Sequence, residues 1–403
     1  MITILKNIIT QNKNVGYIIA QSLIGFIFLP ILLNTIGLKL YGNLFLFIST
    51  SSFIQTFINS GYTNLITSFH SDWLTKKIYK LNVFRIITVM VIHLIFAIGT
   101  ITILDIFFNI KNYFSILSII VLPVYSFSFV ITELCEVTFR MLDRYMFFVK
   151  RALIFSFLDF CLKVVYLISF DFELTSYIVV LAISRICFFL FLILNFTKFH
   201  KVYFNRSDRW FFLYSFNWML SNLIGRFSAY MDKPIIDNVY GDISLAYYGL
   251  ALRIGGAISV LKTALKNFWI YDALKLYPYH RKVTISRLLN PLLVAIIGML
   301  PIAYIYLRFI EPEEFQLIFL YLTLFILSEL IWVFYFHNSL APAVFKNSRY
   351  LPQIQIIGII IYFGFLILSI TYLDIYGIII AKIIQTISMG LLHIYYKNKI
   401  AIE

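Results

Sequence analysis

The chain is 403 residues long, 61% hydrophobic and only 13% charged, with a formal net charge of +14 and a mean hydropathy of +0.89. Soluble domains carry roughly 25% charged residues and about 45–50% apolar ones, so this composition excludes an ordinary soluble enzyme. Lipid is the solvent that accepts it, and the useful question becomes where the charges sit.

A membrane-crossing helix takes about 20 mostly apolar residues. In chain order the sequence predicts twelve such spans, the first six at 15–36, 44–67, 84–104, 113–135, 152–170 and 174–196. The second six are 210–231, 243–269, 288–307, 315–336, 354–372 and 375–396. The segments between them average about a dozen residues, which leaves room for no soluble domain. The first span is longer than a signal-peptide apolar region, and no small-x-small cleavage site follows Ile36. The runs are apolar on all faces, unlike the alternating strands of a membrane barrel. The expected fold is an all-α polytopic membrane protein.

Lys and Arg concentrate in cytoplasmic loops. With the N-terminus inside, the inside segments hold about 22 of them, including Lys76, Lys77, Lys80, Arg144, Lys198, Lys201 and Arg206. The outside segments hold only Lys39, Lys111, Lys233 and Arg308. Both termini are therefore expected in the cytoplasm. A pI near 9.5 would otherwise suggest nucleic acid, but topology accounts for most of the charge and no nucleic-acid partner is expected.

The basic loop 197–209 divides six spans from six, giving an N-terminal lobe at 1–200 and a C-terminal lobe at 201–403. The two halves open alike. Leu32-Leu33-Asn34-Thr35-Ile36-Gly37 leads into Leu40-Tyr41-Gly42-Asn43-Leu44, and Ile235-Ile236-Asp237-Asn238-Val239-Tyr240-Gly241 leads into Ala246-Tyr247-Tyr248-Gly249-Leu250. Six spans per half leave both halves the same way up, so a pseudo-twofold axis between them runs along the membrane normal.

These stretches, with FINSGYTNLI after the first and YMDKPIIDNVYGDISLAYYGLALRIGGAISVL around the second, resemble the oligosaccharide-lipid flippases of polysaccharide synthesis. Those are the O-unit (Wzx-type) members of the multidrug/oligosaccharidyl-lipid/polysaccharide (MOP) exporter superfamily. The resemblance implies a transporter and not an enzyme. Its substrate would be an oligosaccharide on an undecaprenyl-diphosphate type of lipid, an O-antigen or capsule repeat unit. Alternating access would carry it from the cytoplasmic to the outer leaflet of the bacterial inner membrane. Membrane lipids, a polysaccharide polymerase and a chain-length regulator are the partners such a role implies. The resemblance also implies a central cavity lined by helices one, two, seven and eight.

Charge inside a span costs on the order of 2.5–3.5 kcal/mol, so each buried charge needs a partner or water. The basic residues there are Lys163, Arg185, Arg226, Arg253, Lys262, Lys266 and Lys382; the acidic ones are Glu133, Glu136, Asp159 and Glu329. Asp159 and Lys163 stand one turn apart, as do Glu136 and Arg140, and are expected to pair within their helices. Lys262 and Lys266 are within snorkelling reach of the headgroups. Arg185, Arg226, Arg253 and Lys382 have no acid at helical spacing. Asn222 shares a stripe with Arg226, and Gln55 with Asn59.

On the flippase template, Arg226, Arg253, Asn222, Gln55 and Asn59 face the cavity, with Arg185, Lys262 and Lys382 as further substrate ligands. An ideal helix puts Arg253 and Lys262 on opposite sides, unless Gly255-Gly256 bends it. Arginine suits the diphosphate through its planar fork of donors, and the basic excess within the spans fits an anion. Asp159 and Glu329 are candidates for ion coupling; Glu329 alternatively pairs with Lys382 or Arg185.

Cys135, Cys161 and Cys187 form no CxxC, the six histidines form no HExxH, and no G-x-x-x-x-G-K-[ST] occurs. No cofactor and no metal site are expected. Two other readings stay open. A membrane-embedded O-antigen polymerase or ligase would place catalytic basic residues in a large outside loop, whereas the outside segments 232–242 and 308–314 are short and acidic. A drug or cation exporter of the same superfamily would show the opposite charge excess in its spans.

Overall fold

The computed structural model describes residues 13–59, 63, 95, 98–99, 115–141, 145–196, 208–276, 281–345 and 347–402. Among the described residues every regular element is a helix. The first five are α1 (Lys13–Asn59), α2 (Ile116–Met141), α3 (Tyr145–Ser169), α4 (Leu174–Phe196) and α5 (Asp208–Tyr240). Then follow α6 (Asp242–Leu276), α7 (Arg281–Ile310), α8 (Phe315–Ser339), the one-turn α9 (Ala341–Val344) and α10 (Leu351–Ile402). Eight of the described helices are long and apolar enough to cross a membrane.

Two helices are double. α1 breaks at Gly37 (φ 73°, ψ 168°) and α10 at Asp374 (φ 49°, ψ −140°). Unbroken, the 52 residues of α10 would run about 78 Å, more than twice the hydrocarbon thickness. The break yields two segments, 351–373 and 375–402, where two spans were expected. The expected span 84–104 lies outside the described residues, apart from Ile95, Ile98 and Gly99, which are helical. The other expected spans fall on described helices, apart from residues 60–62, 64–67 and 113–114, which lie outside the described residues.

One expectation needs correction. The sequence predicts an outside loop over 232–242, but α5 continues through these residues to Tyr240 and only Gly241 separates it from α6. The reason is burial: Asp232 is 0% exposed, and Lys233 and Asp237 are each 7% exposed. A buried backbone must satisfy its own polar groups, which a helix does and a loop does not. Lys233 adds a bond from its Nζ to the Ala229 carbonyl.

The sequence echo between the halves is a repeated backbone event. Gly37 and Gly241 (φ 84°) are the only glycines at positive φ among the described residues, and each follows a proline inside its helix, Pro30 and Pro234. Glycine adopts this conformation without a Cβ clash, so the chain turns sharply there and starts the next helix.

The chain divides into two compact units. One is Ile31–Ile235; the other is Met1–Pro30 with Ile236–Glu403. In the first, α2 packs along α4, and α3 lies against both. Phe148, Phe155 and Phe188 interleave there, with Phe155 and Phe188 4.8 Å apart. In the second, α8 sits among α6, α7 and α10, with Tyr248 and Tyr362 fully buried. Large apolar side chains such as Ile154, Ile168, Ile297, Ile305 and Phe309 point outward, as a surface solvated by lipid requires.

The two halves of α10 meet without a side chain between them. A Cβ on Gly377 would lie 2.6 Å from the Ser369 carbonyl oxygen, whose own hydroxyl donates to the Gly377 carbonyl at 3.0 Å. The obstacle is backbone and cannot rotate away. Gly377→Ala is expected to cost about 2–3 kcal/mol by overpacking, read as a lower unfolding temperature in detergent. An unchanged melting curve would contradict this packing.

Candidate functional site

The polar groups predicted from the sequence are described unit by unit. In Ile31–Ile235, α1 after Gly37 runs beside α2 and α5. Ser51 and Ser126 hydroxyls share a bond of 2.9 Å, Gln55 Nε2 donates to Ser51 at 3.1 Å, and Thr50 donates to the Tyr230 hydroxyl at 3.3 Å. Phe53 stacks on Tyr230 with centroids 5.3 Å apart. On this polar seam Arg226 is exposed and donates to Ser52 Oγ at 3.4 Å, with Asn222 half-buried one turn before it. Asn59 turns elsewhere and donates to Glu133 at 3.0 Å. Of the residues placed together from sequence, Arg226, Asn222 and Gln55 thus share α1 and α5, while Asn59 serves α2.

Helices α3 and α4 hold a second polar group. Asp159 pairs with Lys163 on its own helix and accepts from Ser184 Oγ at 2.5 Å. Arg185 lies over the Phe129 ring, its Cζ 4.1 Å from the centroid, which is a cation–π contact. Ser156, Asp159, Ser184 and Arg185 line a small cleft with Phe155 and Phe188. The expected Asp159–Lys163 pair is present. The Arg140 side chain, expected to meet Glu136, lies outside the described residues.

In the unit Met1–Pro30 with Ile236–Glu403, Lys262 of α6 pairs with Glu329 of α8. Ser259 Oγ donates to the other carboxylate oxygen at 2.6 Å, and the Lys262 ammonium sits 4.4 Å from the Trp332 ring centroid. Glu329 therefore takes neither Lys382 nor Arg185, and Lys262 points into the helix bundle rather than snorkelling to headgroups. Lys382 instead donates to the Tyr248 hydroxyl at 3.3 Å. Ser259 was legible, standing three residues before Lys262 on the same face. Trp332 and Tyr248 were not, because only packing brings them across.

Arg253 is exposed on α6 and makes no hydrogen bond or ion pair among the described residues. Its guanidinium rests beside Gly25 of α1, 3.4 Å from where a Cβ would stand. Gly255 and Gly256 lie within the continuous helix α6, along which ideal geometry puts Arg253 and Lys262 on opposite sides. Among the described residues no group of three His, Cys, Asp or Glu is placed to hold a metal, and the three cysteines are free.

Residues 12–265 match the family described as polysaccharide biosynthesis protein. The chain belongs to that family. No curated protein matches the sequence of this polysaccharide biosynthesis protein. Its fold is that of the MOP transporters. A MOP superfamily transporter from Pyrococcus furiosus, described as having reversed pocket polarity and a different function, aligns with a TM-score of 0.56 and 14% identity, covering 96% of this chain and 95% of that one. A MATE transporter in complex with Br-NRF aligns at 0.54 and 15% identity over 96% and 94% of the two chains. An inward-facing multidrug-resistance MATE transporter aligns at 0.50 and 16% identity over the same shares. These likenesses, all below 25% identity, show the fold.

Proposed function

We propose that this polysaccharide biosynthesis protein is a flippase for an isoprenoid-diphosphate-linked oligosaccharide, an O-antigen or capsule repeat unit, moved by alternating access from the cytoplasmic to the outer leaflet of a bacterial inner membrane. The observation that carries the reading is Arg253, an exposed guanidinium on a membrane-crossing helix with no partner among the described residues. A bare guanidinium is too costly in hydrocarbon and belongs in water-filled space. Arg226 is in the same condition apart from its one bond to Ser52. Its helix α5 is not among those apolar enough to cross lipid unaided, as expected of a wall facing water.

Two such arginines suit a diphosphate, whose oxygens accept paired donors from a guanidinium. Asn222 and Gln55 supply amides for sugar hydroxyls, and the lipid tail stays in the bilayer. Arg185 and Lys382 are the next ligands along the path. Asp159 and Glu329 are the proposed ion-coupling groups: a proton on either carboxylate would release its lysine. Both termini lie in the cytoplasm, and the polysaccharide polymerase acts downstream of the delivered unit.

Deleting the gene and locating the lipid-linked intermediate tests the reading. Single repeat units trapped on the cytoplasmic leaflet are expected. Single units that reach the outer leaflet unpolymerised would make the chain a polymerase instead.

A further inference from the structure

The two ends of α10 come to one place. Gly377 lies against Ser369, a Cβ on Gly358 would stand 2.7 Å from Met389 Cγ, and the Tyr350 and Tyr396 rings stack with centroids 5.0 Å apart. Each pair steps back along 351–373 as it steps forward along 375–402. The two segments are therefore antiparallel, and the break at Asp374 is the closed end of a hairpin. The open end carries Arg349 and Tyr350 on one arm and Tyr395, Tyr396, Lys397 and Lys399 on the other.

The stretch apolar enough to cross a membrane starts at Leu351 and ends at Lys397. The open end thus stands at a membrane–water boundary, the level at which tyrosine rings gather. Its charges have no acid beside them. From Leu330 to Ile402 the only acidic residue is Asp374, at the closed end and about 35 Å away along the helix. Glu403 lies outside the described residues.

Aromatic rings, and not carboxylates, hold the cations in place. Lys399 is exposed, with its Nζ 5.1 Å from the Tyr395 ring centroid and 5.9 Å from that of Tyr396. Tyr395, 58% exposed, meets Tyr396 edge to face at 5.1 Å. The stack of Tyr396 on Tyr350 brings the exposed Arg349 to the same end. Neither Arg349 nor Lys397 makes an ion pair among the described residues. A carboxylate would neutralise these groups, whereas a ring face positions an ammonium and leaves its charge in place. The bias of basic residues toward one side of a membrane explains their side, but not their convergence on one stack of rings.

The chemistry selects the ligand. Cations without an acid attract an anion and repel a metal ion. Guanidinium and ammonium groups donate to phosphate oxygens in short charge-assisted bonds. The depth narrows the choice further, because a phospholipid headgroup lies where the apolar stretch ends, and tyrosine is amphipathic enough to border it. We propose that Arg349, Tyr350, Tyr395, Tyr396, Lys397 and Lys399 form a binding site for the headgroup of an anionic phospholipid. On the topology proposed above, that lipid belongs to the cytoplasmic leaflet, whose negative surface attracts basic segments flanking a span.

The test uses the full-length protein released from nanodiscs of phosphatidylethanolamine and phosphatidylglycerol, with retained lipids counted by native mass spectrometry. Phosphatidylglycerol should be retained in preference. Arg349→Gln and Lys399→Gln should each lower that preference about fivefold, the factor for one basic residue at an anionic surface. Tyr395→Leu, which removes a ring from beneath Lys399, should lower it about two- to fivefold. Arg308→Gln loses the same charge from an exposed position at the end of α7 and should keep the full preference. Equal retention of the two lipids by the unaltered protein overturns the proposal, as does an equal loss in Arg308→Gln. Displacement of the lipid by excess inorganic phosphate also overturns it, since that marks a site for free anions. No saccharide enters these measurements, so failure of the transport reading and failure of this one are read separately.

Discussion

Arg226→Ala is expected to lower translocation on the order of 10²-fold while leaving the protein folded and inserted. The two halves of that expectation have different causes. A guanidinium grips a phosphate through paired charge-assisted bonds of about 1.5–3 kcal/mol each. Losing such a grip where substrate must be held during the transition slows the step by roughly the corresponding Boltzmann factor. Stability should hardly move, because the one bond lost is the 3.4 Å contact to Ser52 Oγ. Arg226→Lys should restore part of the rate, since a point charge remains but the fork does not. Arg253→Ala should behave alike. Quantifying surface polysaccharide and lipid-linked units at matched expression reads both. Normal export by Arg226→Ala would remove the residue from the site.

Lys262→Ala is expected to act on stability first. It would strand the Glu329 carboxylate in the bundle with only Ser259 donating to it. Removing one partner of a buried pair typically costs about 3–5 kcal/mol. The Lys262 and Glu329 side chains are 15% and 27% exposed, so about 2–3 kcal/mol is expected here. Replacing both, as Lys262→Met with Glu329→Leu, should recover most of the loss, because the pair's desolvation disappears with its attraction. Thermal unfolding of the three variants separates the cases. A single variant as stable as the unaltered protein would mean that water already reaches Glu329 freely.

The helices were legible because lipid demands long apolar runs and those runs are visible in composition. The echo at Gly37 and Gly241 was legible for a backbone reason, since only glycine takes those angles without strain. What misled was polarity at 232–242: Asp232, Lys233 and Asp237 look like loop residues, and only tertiary packing shows that they are buried in a helix. The Asp159–Lys163 pair could be read because it lies within one helix. The Lys262–Glu329 pair could not, because it joins two helices whose facing sides the sequence does not specify.

The most direct measurement is made on purified protein in sealed proteoliposomes loaded with the host's lipid-linked repeat unit, outer-leaflet exposure being read by an impermeant sugar-oxidising reagent. Rapid exposure of units that began in the inner leaflet, lost in Arg226→Ala and Arg253→Ala, is the predicted result. Exposure no faster than in empty liposomes, with the protein folded and correctly inserted, would contradict the account.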